Sequence, residues 1–327
     1  MVICPRPCAL ARFLANMQNA PYFPELANND LPVQANWMTA NDGTRLRRVI
    51  WGDGQRGHVL LLPGRTEYIE KYGRVARDLA ARGFAVVSID WRGQGLSDHV
   101  DGRRDIGHVD DFAEYQDDLA ALLADPAVAA LPGPRLLFAH SMGGCIALRA
   151  LLDGLKVDAA VFSGPMWGIA ANRYLRPIGE TLARAGSKLG QGLMRMPGTK
   201  AETYVLSDPF DGNLLTSDPE YWAWLQSHAQ IQPDLGLGGP TFSWIDAAHE
   251  EFVRFDHAQM PDILLLTLLG GAEGVVDADA VHRHMAKFKR GQLVEIAEAR
   301  HEIWMERKDL QNQGWAAIDS FLAAQGI

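Results

Sequence analysis

The sequence predicts an α/β protein in which a mostly parallel central sheet, antiparallel at its start, carries helices on both faces and an inserted cap. Three observations predict it. Short apolar runs alternate with helical patterns over most of the chain, a hairpin signal precedes that alternation, and the alternation breaks after Pro165 and resumes near Ile263. Alternating strands and helices imply a parallel sheet covered on both sides, because each crossover helix must bury its apolar stripe against a sheet face.

The hairpin comes first. Residues 33–51 read as two strands around "ANDGT", where Asp42-Gly43 supplies the turn. "HVLLLPG" is then a buried strand, "KYGRVARDLAARG" a helix closed by Gly83, and "FAVVSID" the next strand. A helix over about 109–124 precedes the strand "RLLFAH", and "MGGCIALRALLDG" is a helix ahead of the strand "VDAAVFSG". After the break, "DILLLTLLGG" is a strand, 278–289 a helix, "GQLVEIA" a strand and 309–324 the closing helix. The chain divides accordingly into an N-terminal extension (1–32), a first core portion (33–164), a cap or lid insertion (165–256) and a second core portion (257–327). The insertion is rich in Gly, Pro and Trp with short helical patterns, and is expected over the carboxyl edge of the sheet, where open α/β folds hold their sites.

The 327 residues are 47% hydrophobic and 22% charged, which suits a large buried core and argues against disorder. A net charge of -9 gives no general attraction to phosphate backbones, so nucleic acid is not an expected partner. The opening residues lack the basic start and apolar core of a signal peptide, and the longest apolar stretch, 263–269, is far shorter than the roughly 20 residues of a membrane helix. A soluble protein is expected. Cys4, Cys8 and Cys145 form no even disulfide framework, which fits free thiols in the cytoplasm. Cys4 and Cys8 alone would make a weak metal site, and His282 and His284, two apart on a helix, read as surface residues rather than co-ligands. No metal and no cofactor is expected.

"LLFAHSMGG", residues 136–144, places Ser141 between a strand and a helix, close to the G-x-S-x-G nucleophile elbow but with Ala139 at the first glycine position. An ordinary helix N-cap would also use serine. A hydrolytic serine needs a base, an acid that orients the base, and backbone N–H groups aimed at the developing oxyanion. His301, just after a strand near the C-terminus, is the candidate base and completes the chain order serine, acid, histidine. For the acid, Glu273 follows its strand directly, whereas Asp277 begins a helical pattern and is explained as an N-cap; Glu273 is preferred and Asp277 is the alternative. The loop "LLLPGRTEY" offers the Arg65 N–H, with that of Met142, as the oxyanion hole.

These residues resemble the α/β-hydrolase superfamily, particularly its monoacylglycerol lipase and bacterial lysophospholipase branch. The resemblance rests on "PGRTEY", "DWRGQGLS", "AHSMGG", "GGAEGVVD" and "ARHEIWME". It implies Ser141 as nucleophile, His301 as base, Glu273 as acid and Arg65 with Met142 as oxyanion donors. Three departures stand out: Ala139 in the elbow, Pro63 where relatives often have histidine, and glutamate for the commoner aspartate. The resemblance further implies a serine hydrolase of carboxylic esters acting on single-acyl-chain lipids, a lysophospholipase or monoacylglycerol lipase, through an acyl-serine. The same fold also hosts hydrolases of small esters, thioesters, lactones and peptides, and non-catalytic receptors.

Within the insertion, Trp222, Trp224, Phe242 and Trp244 either line an acyl pocket or pack the cap's own core. Arg173, Arg176, Arg184, Lys188, Arg195 and Lys200 make its first part basic, with Leu175, Ile178, Leu182, Ala185 and Leu189 at helical spacing on another face. Such an element is either a solvated face or a transient contact with a membrane surface.

Overall fold

The computed structural model describes residues 19–170 and 176–327, the second without the Arg176 side chain. Cys4, Cys8, Arg173 and Leu175 lie outside the described residues. The elements run β1 (Val33–Thr39), β2 (Arg45–Trp51), β3 (Gly57–Leu62), α1 (Gly73–Ala80), β4 (Phe84–Asp90), α2 (Ala113–Ala124), β5 (Arg135–His140), α3 (Met142–Leu152) and β6 (Ala159–Ser163). They continue with α4 (Arg176–Gly186), α5 (Pro219–Ile231), α6 (Phe242–His257), β7 (Leu265–Gly270), α7 (Ala278–Met285), β8 (Gly291–Ile296) and α8 (Lys308–Ala323).

One eight-stranded sheet has the order β1-β2-β4-β3-β5-β6-β7-β8. β2 pairs antiparallel with both β1 and β4, and every later neighbour is parallel. The β1–β2 turn forms as its residues dictate: Asp42 accepts from the Thr44 N–H at 3.0 Å, and Gly43 takes φ 92°, a conformation that costs glycine little. β3, β4, β6 and β7 are buried along their whole length, which is why they read as continuous apolar runs rather than alternating ones.

Each sheet face has its own apolar core. α1 and α8 cover one face through Val75, Leu79, Trp315, Ile318 and Phe321. α2, α3 and α7 cover the other through Tyr115, Leu119, Ile146, Leu148, Val281 and Met285. α6 joins that second face, its Trp244, Ala248, Phe252 and Phe255 packing into the core of the strands. At the described end of the N-terminal extension, Tyr22 accepts from the Trp51 indole at 2.9 Å and the Pro21 carbonyl accepts from Arg47 at 2.9 Å.

Helix boundaries differ from the sequence expectation where side chains compete for the backbone. α2 begins at Ala113 rather than near 109, because Glu114 accepts from the N–H groups of Asp110 and Asp111 and holds them in a turn. α1 begins at Gly73, after a tight turn over Ile69–Tyr72; a Cβ on Gly73 would sit 2.0 Å from the Ala27 carbonyl. α7 ends at Met285 rather than 289. His284 is a correction: residues two apart on a helix face opposite ways, so His282 is half-exposed beside Glu295 while His284 is buried between Trp167 and Phe255.

Candidate active site

β5 ends at His140 and α3 begins at Met142, so Ser141 is the single residue that must turn the chain from strand to helix. It does so at φ 50°, ψ -119°, a strained conformation for a residue with a Cβ. Ser141 occupies the N-cap position of α3, yet its side chain makes no cap hydrogen bond. Glycine is needed two residues later rather than before: a Cβ on Gly143 would lie 2.2 Å from the Leu62 carbonyl oxygen and 2.6 Å from that of Pro63. Ala139 is accommodated, fully buried in β5 between Leu62 and Phe162 of the flanking strands.

The turns after β7 and β8 bring Glu273 and His301 together, with His301 Nδ1 2.8 Å from Glu273 Oε2. An ionised carboxylate only accepts, so the hydrogen of this contact is carried by Nδ1. Glu273 Oε1 accepts from the N–H groups of Val275 at 2.7 Å and Val276 at 3.1 Å. Burial pushes the Glu273 carboxyl up, but His301 and these N–H groups outweigh it and hold the carboxyl below its ordinary value. Gly164 leaves room for the pair; a Cβ there would stand 3.0 Å from His301 Nδ1. Asp277 caps α7, accepting from the Ala280 N–H at 3.1 Å.

The loop after β3 passes beside the serine, where a Cβ on Gly64 would meet the Ser141 Cβ at 3.0 Å. The N–H groups flanking Arg65 are engaged, Gly64 with Glu67 Oε2 and Thr66 with Gln94 Oε1 at 2.7 Å. Met142 is the first residue of α3, so its N–H belongs to the set that no helical carbonyl satisfies.

Five charged or titratable residues with no role assigned from the sequence gather in and around this loop. Lys71 bridges two carboxylates, Glu67 and, at 2.6 Å, Glu302; His140 Nε2 lies 3.3 Å from Glu302 Oε2, and the Tyr72 hydroxyl donates to Glu67 at 2.5 Å. Burial disfavours charge on Lys71, Tyr72, His140 and Glu302. Lys71 and His140 nevertheless hold Glu302 well below the usual carboxylate range, and Glu302 with Glu67 raises His140. Glu67, His140 and Glu302 have the spacing of a cation site, with ligand atoms within 4.8 Å of one another, and the Lys71 ammonium already lies among their carboxylates. The one sequence signal was adjacency: His140 precedes Ser141 and Glu302 follows His301.

A cavity of about 430 Å³ opens onto Ser141 and His301. Its walls are mainly apolar, with Met166, Ile169, Leu214, Leu215, Trp244 and Val276 among them, and Arg65 and Lys71 bring cationic side chains. Of the four aromatics named from the sequence, Trp244 lines the cavity. Trp222 packs on Tyr204 and Phe210, Trp224 on Tyr221 and His228, and Phe242 against Gly186. On α4 and the following turn, Ile178 (64%), Leu182 (44%), Leu189 (76%) and Met194 (53%) are exposed. Among the described residues no helix is long and apolar enough to cross a membrane.

A family model described as Hydrolase_4, serine aminopeptidase S33, matches residues 53–308. The chain is similar to the lysophospholipase L2 of Escherichia coli, 31% identical over 288 residues covering 80% of this chain and 79% of that one. It is also similar to the probable lysophospholipase L2 of Haemophilus influenzae, 28% identical over 270 residues covering 82% and 84%. Among solved structures, a soluble variant of the Saccharomyces cerevisiae monoglyceride lipase in complex with a substrate analog has a TM-score of 0.72 at 20% identity, covering 93% of this chain and 99% of that one. The Paleococcus ferrophilus monoacylglycerol lipase has a TM-score of 0.67 at 21% identity, covering 85% and 98%. The architecture is the α/β-hydrolase fold.

Proposed function

The chain belongs to the Hydrolase_4 family, and from that premise we propose that it hydrolyses the ester of a single-chain lipid, a lysophospholipid or a monoacylglycerol, through an acyl-Ser141 intermediate. The observation that carries this reading is His301, held by Glu273, lining the same mainly apolar cavity as the strained Ser141. The family is named for a peptidase, but relatives matched over about four-fifths of both chains are named for lysophospholipids, which favours an ester.

In this mechanism His301 Nε2 accepts the Ser141 proton as the serine oxygen bonds to the ester carbonyl carbon. The carbonyl oxygen becomes an oxyanion, stabilised by the N–H groups of Met142 and Arg65. Collapse breaks the bond to the alkoxy group, which leaves with the proton from His301 as an alcohol. Water then repeats the sequence, losing its proton to His301 and releasing the fatty acid as Ser141 is reprotonated. Glu273 holds the imidazole tautomer and stabilises the imidazolium, while Asp277 serves α7 as its cap.

We read residues 165–256 as the cap insertion, of which Ile169, Thr203, Leu214, Leu225 and Trp244 line the cavity while α6 also packs on the sheet face. The cap's exposed stripe of Ile178, Leu182, Leu189 and Met194, flanked by Arg184 and Lys188, settles transiently on an anionic lipid surface and delivers substrate. Three cysteines, with Cys145 free and buried in α3, favour a cytoplasmic location.

The test is fatty-acid release from a lysophospholipid and a monoacylglycerol of one acyl length, with Ser141→Ala as background. Serine-dependent release from either supports the reading; release from neither overturns it.

A further inference from the structure

The buried arginines Arg47, Arg48 and Arg92 are each neutralised by carboxylates. Arg47 pairs with Glu70 at 2.8 Å and Asp90 at 2.7 Å, Arg48 with Asp125 at 3.1 Å, and Arg92 with Asp118 at 2.7 Å. Arg65 has no carboxylate partner among the described residues. Its guanidinium donates to the Gly238 carbonyl at 2.6 Å and the Thr66 hydroxyl at 3.0 Å, overlies the Trp244 ring at 5.2 Å, and leaves the enclosed Nε–H without an acceptor. Burial pushes its pKa down to about 10, so it stays charged at neutral pH. An enclosed cation with an unused donor is a costly arrangement unless an anion arrives to complete it.

Arg65 lines the cavity that also holds Ser141 and His301, as does the Trp244 ring beneath its guanidinium. The group is held in a slot: a Cβ on Gly107 would fall 2.4 Å from Nη2. Lys71, the other cation of the cavity, is already bridged to Glu67 and Glu302.

We propose that the Arg65 guanidinium is a specificity-determining subsite that binds the phosphodiester of a single-chain phospholipid whose acyl ester lies at Ser141. This rests on the assignment of Ser141 and of the Arg65 N–H as an oxyanion donor. One residue then grips both ends of the glycerol linker: its backbone takes the carbonyl oxygen, and its side chain, about as long as that linker, takes the phosphate. A phosphodiester stays ionised across the neutral range and presents two oxygens to the planar guanidinium fork.

The test uses ligands that cannot be hydrolysed, so it does not depend on turnover. Binding of an ether-linked lysophosphatidylcholine and of the matched ether-linked monoalkylglycerol is measured below micelle formation for the wild type, Arg65→Met and Gly107→Ala. The last keeps Arg65 and its N–H but displaces the guanidinium. The expected result is that Arg65→Met weakens the phosphodiester ligand about tenfold to a hundredfold more than the neutral one. Gly107→Ala shifts the ratio in the same direction, and inorganic phosphate does not displace either ligand. Equal losses for both ligands, or no loss, overturn the proposal and make Arg65 a structural residue. Displacement by millimolar inorganic phosphate that vanishes in Arg65→Met also overturns it, assigning the site to free phosphate. A wild type that releases fatty acid from neither lipid ester would sink the catalytic reading instead, a result separate from the binding ratio.

Discussion

At the carboxyl edge of the sheet, Ser141 is fixed by strand, helix and the carbonyls packed against Gly143, and both Glu273 oxygens have donors. In the segment above it, Ile178, Leu182, Leu189 and Met194 face outward, and α4 passes into a turn where Gly190 takes φ 76°. The edge is organised by backbone geometry and by the hydrogen bonds that hold Glu273 and His301; the insertion presents surface for something else to cover. Chemistry needs the first kind of order, since a displacement of about 1 Å can cost a hundredfold in rate. Capture of a lipid from an interface needs the second.

The sharpest ways to break this contrast lie at the edge. Ser141→Ala is expected to lower kcat by about 10⁵–10⁶-fold while leaving the thermal midpoint near the wild-type value, read by fatty-acid release and calorimetry. Glu273→Ala should lower kcat by about 10³–10⁴-fold. Asp277→Ala, which removes a helix cap, should cost about 1 kcal/mol of stability and little rate. The reverse order would transfer the acid to Asp277.

Smaller effects test the packing beneath the edge. Lys71→Met strands two buried carboxylates and should cost about 3–5 kcal/mol in a denaturant titration. Gly143→Ala must displace the Leu62 or Pro63 carbonyl and should cost about 1–3 kcal/mol. A pH dependence follows from one histidine in each region, His284 on α7 and His228 on α5. Burial lowers His228 and His284 to about 4, so folding excludes protons that the unfolded chain binds below about 6.5. Stability should therefore fall as pH drops from about 6.5 to 4, by on the order of 1–3 kcal/mol per histidine, and His284→Gln should flatten that slope. In the insertion, Leu189→Asp should weaken binding to anionic vesicles severalfold and leave hydrolysis of a short soluble ester near wild type. Equal loss of both would deny the stripe a separate role.

The same contrast explains what the sequence disclosed. Parallel strands buried on both faces write themselves as apolar runs, and the strand-turn-helix around Ser141 demands small residues at fixed spacing, so the sheet and the positions of Ser141, Glu273 and His301 were legible. The buried group of Glu67, Lys71, His140 and Glu302 was not, because it gathers charged residues from three distant segments and each alone reads as surface. His284 failed similarly: a two-residue spacing says that His282 and His284 face apart, not which one faces in. Helical spacing likewise marks a stripe at Ile178, Leu182 and Leu189 without telling whether protein or solvent covers it.

The proposed mechanism requires that Ser141 become acylated with His301 as its base. The most direct measurement is peptide-mapped mass spectrometry of enzyme quenched during turnover of a single-chain lipid ester. One acyl adduct is expected, on Ser141, absent from Ser141→Ala and strongly reduced in His301→Ala. An adduct on another residue, or undiminished fatty-acid release by Ser141→Ala, would contradict it.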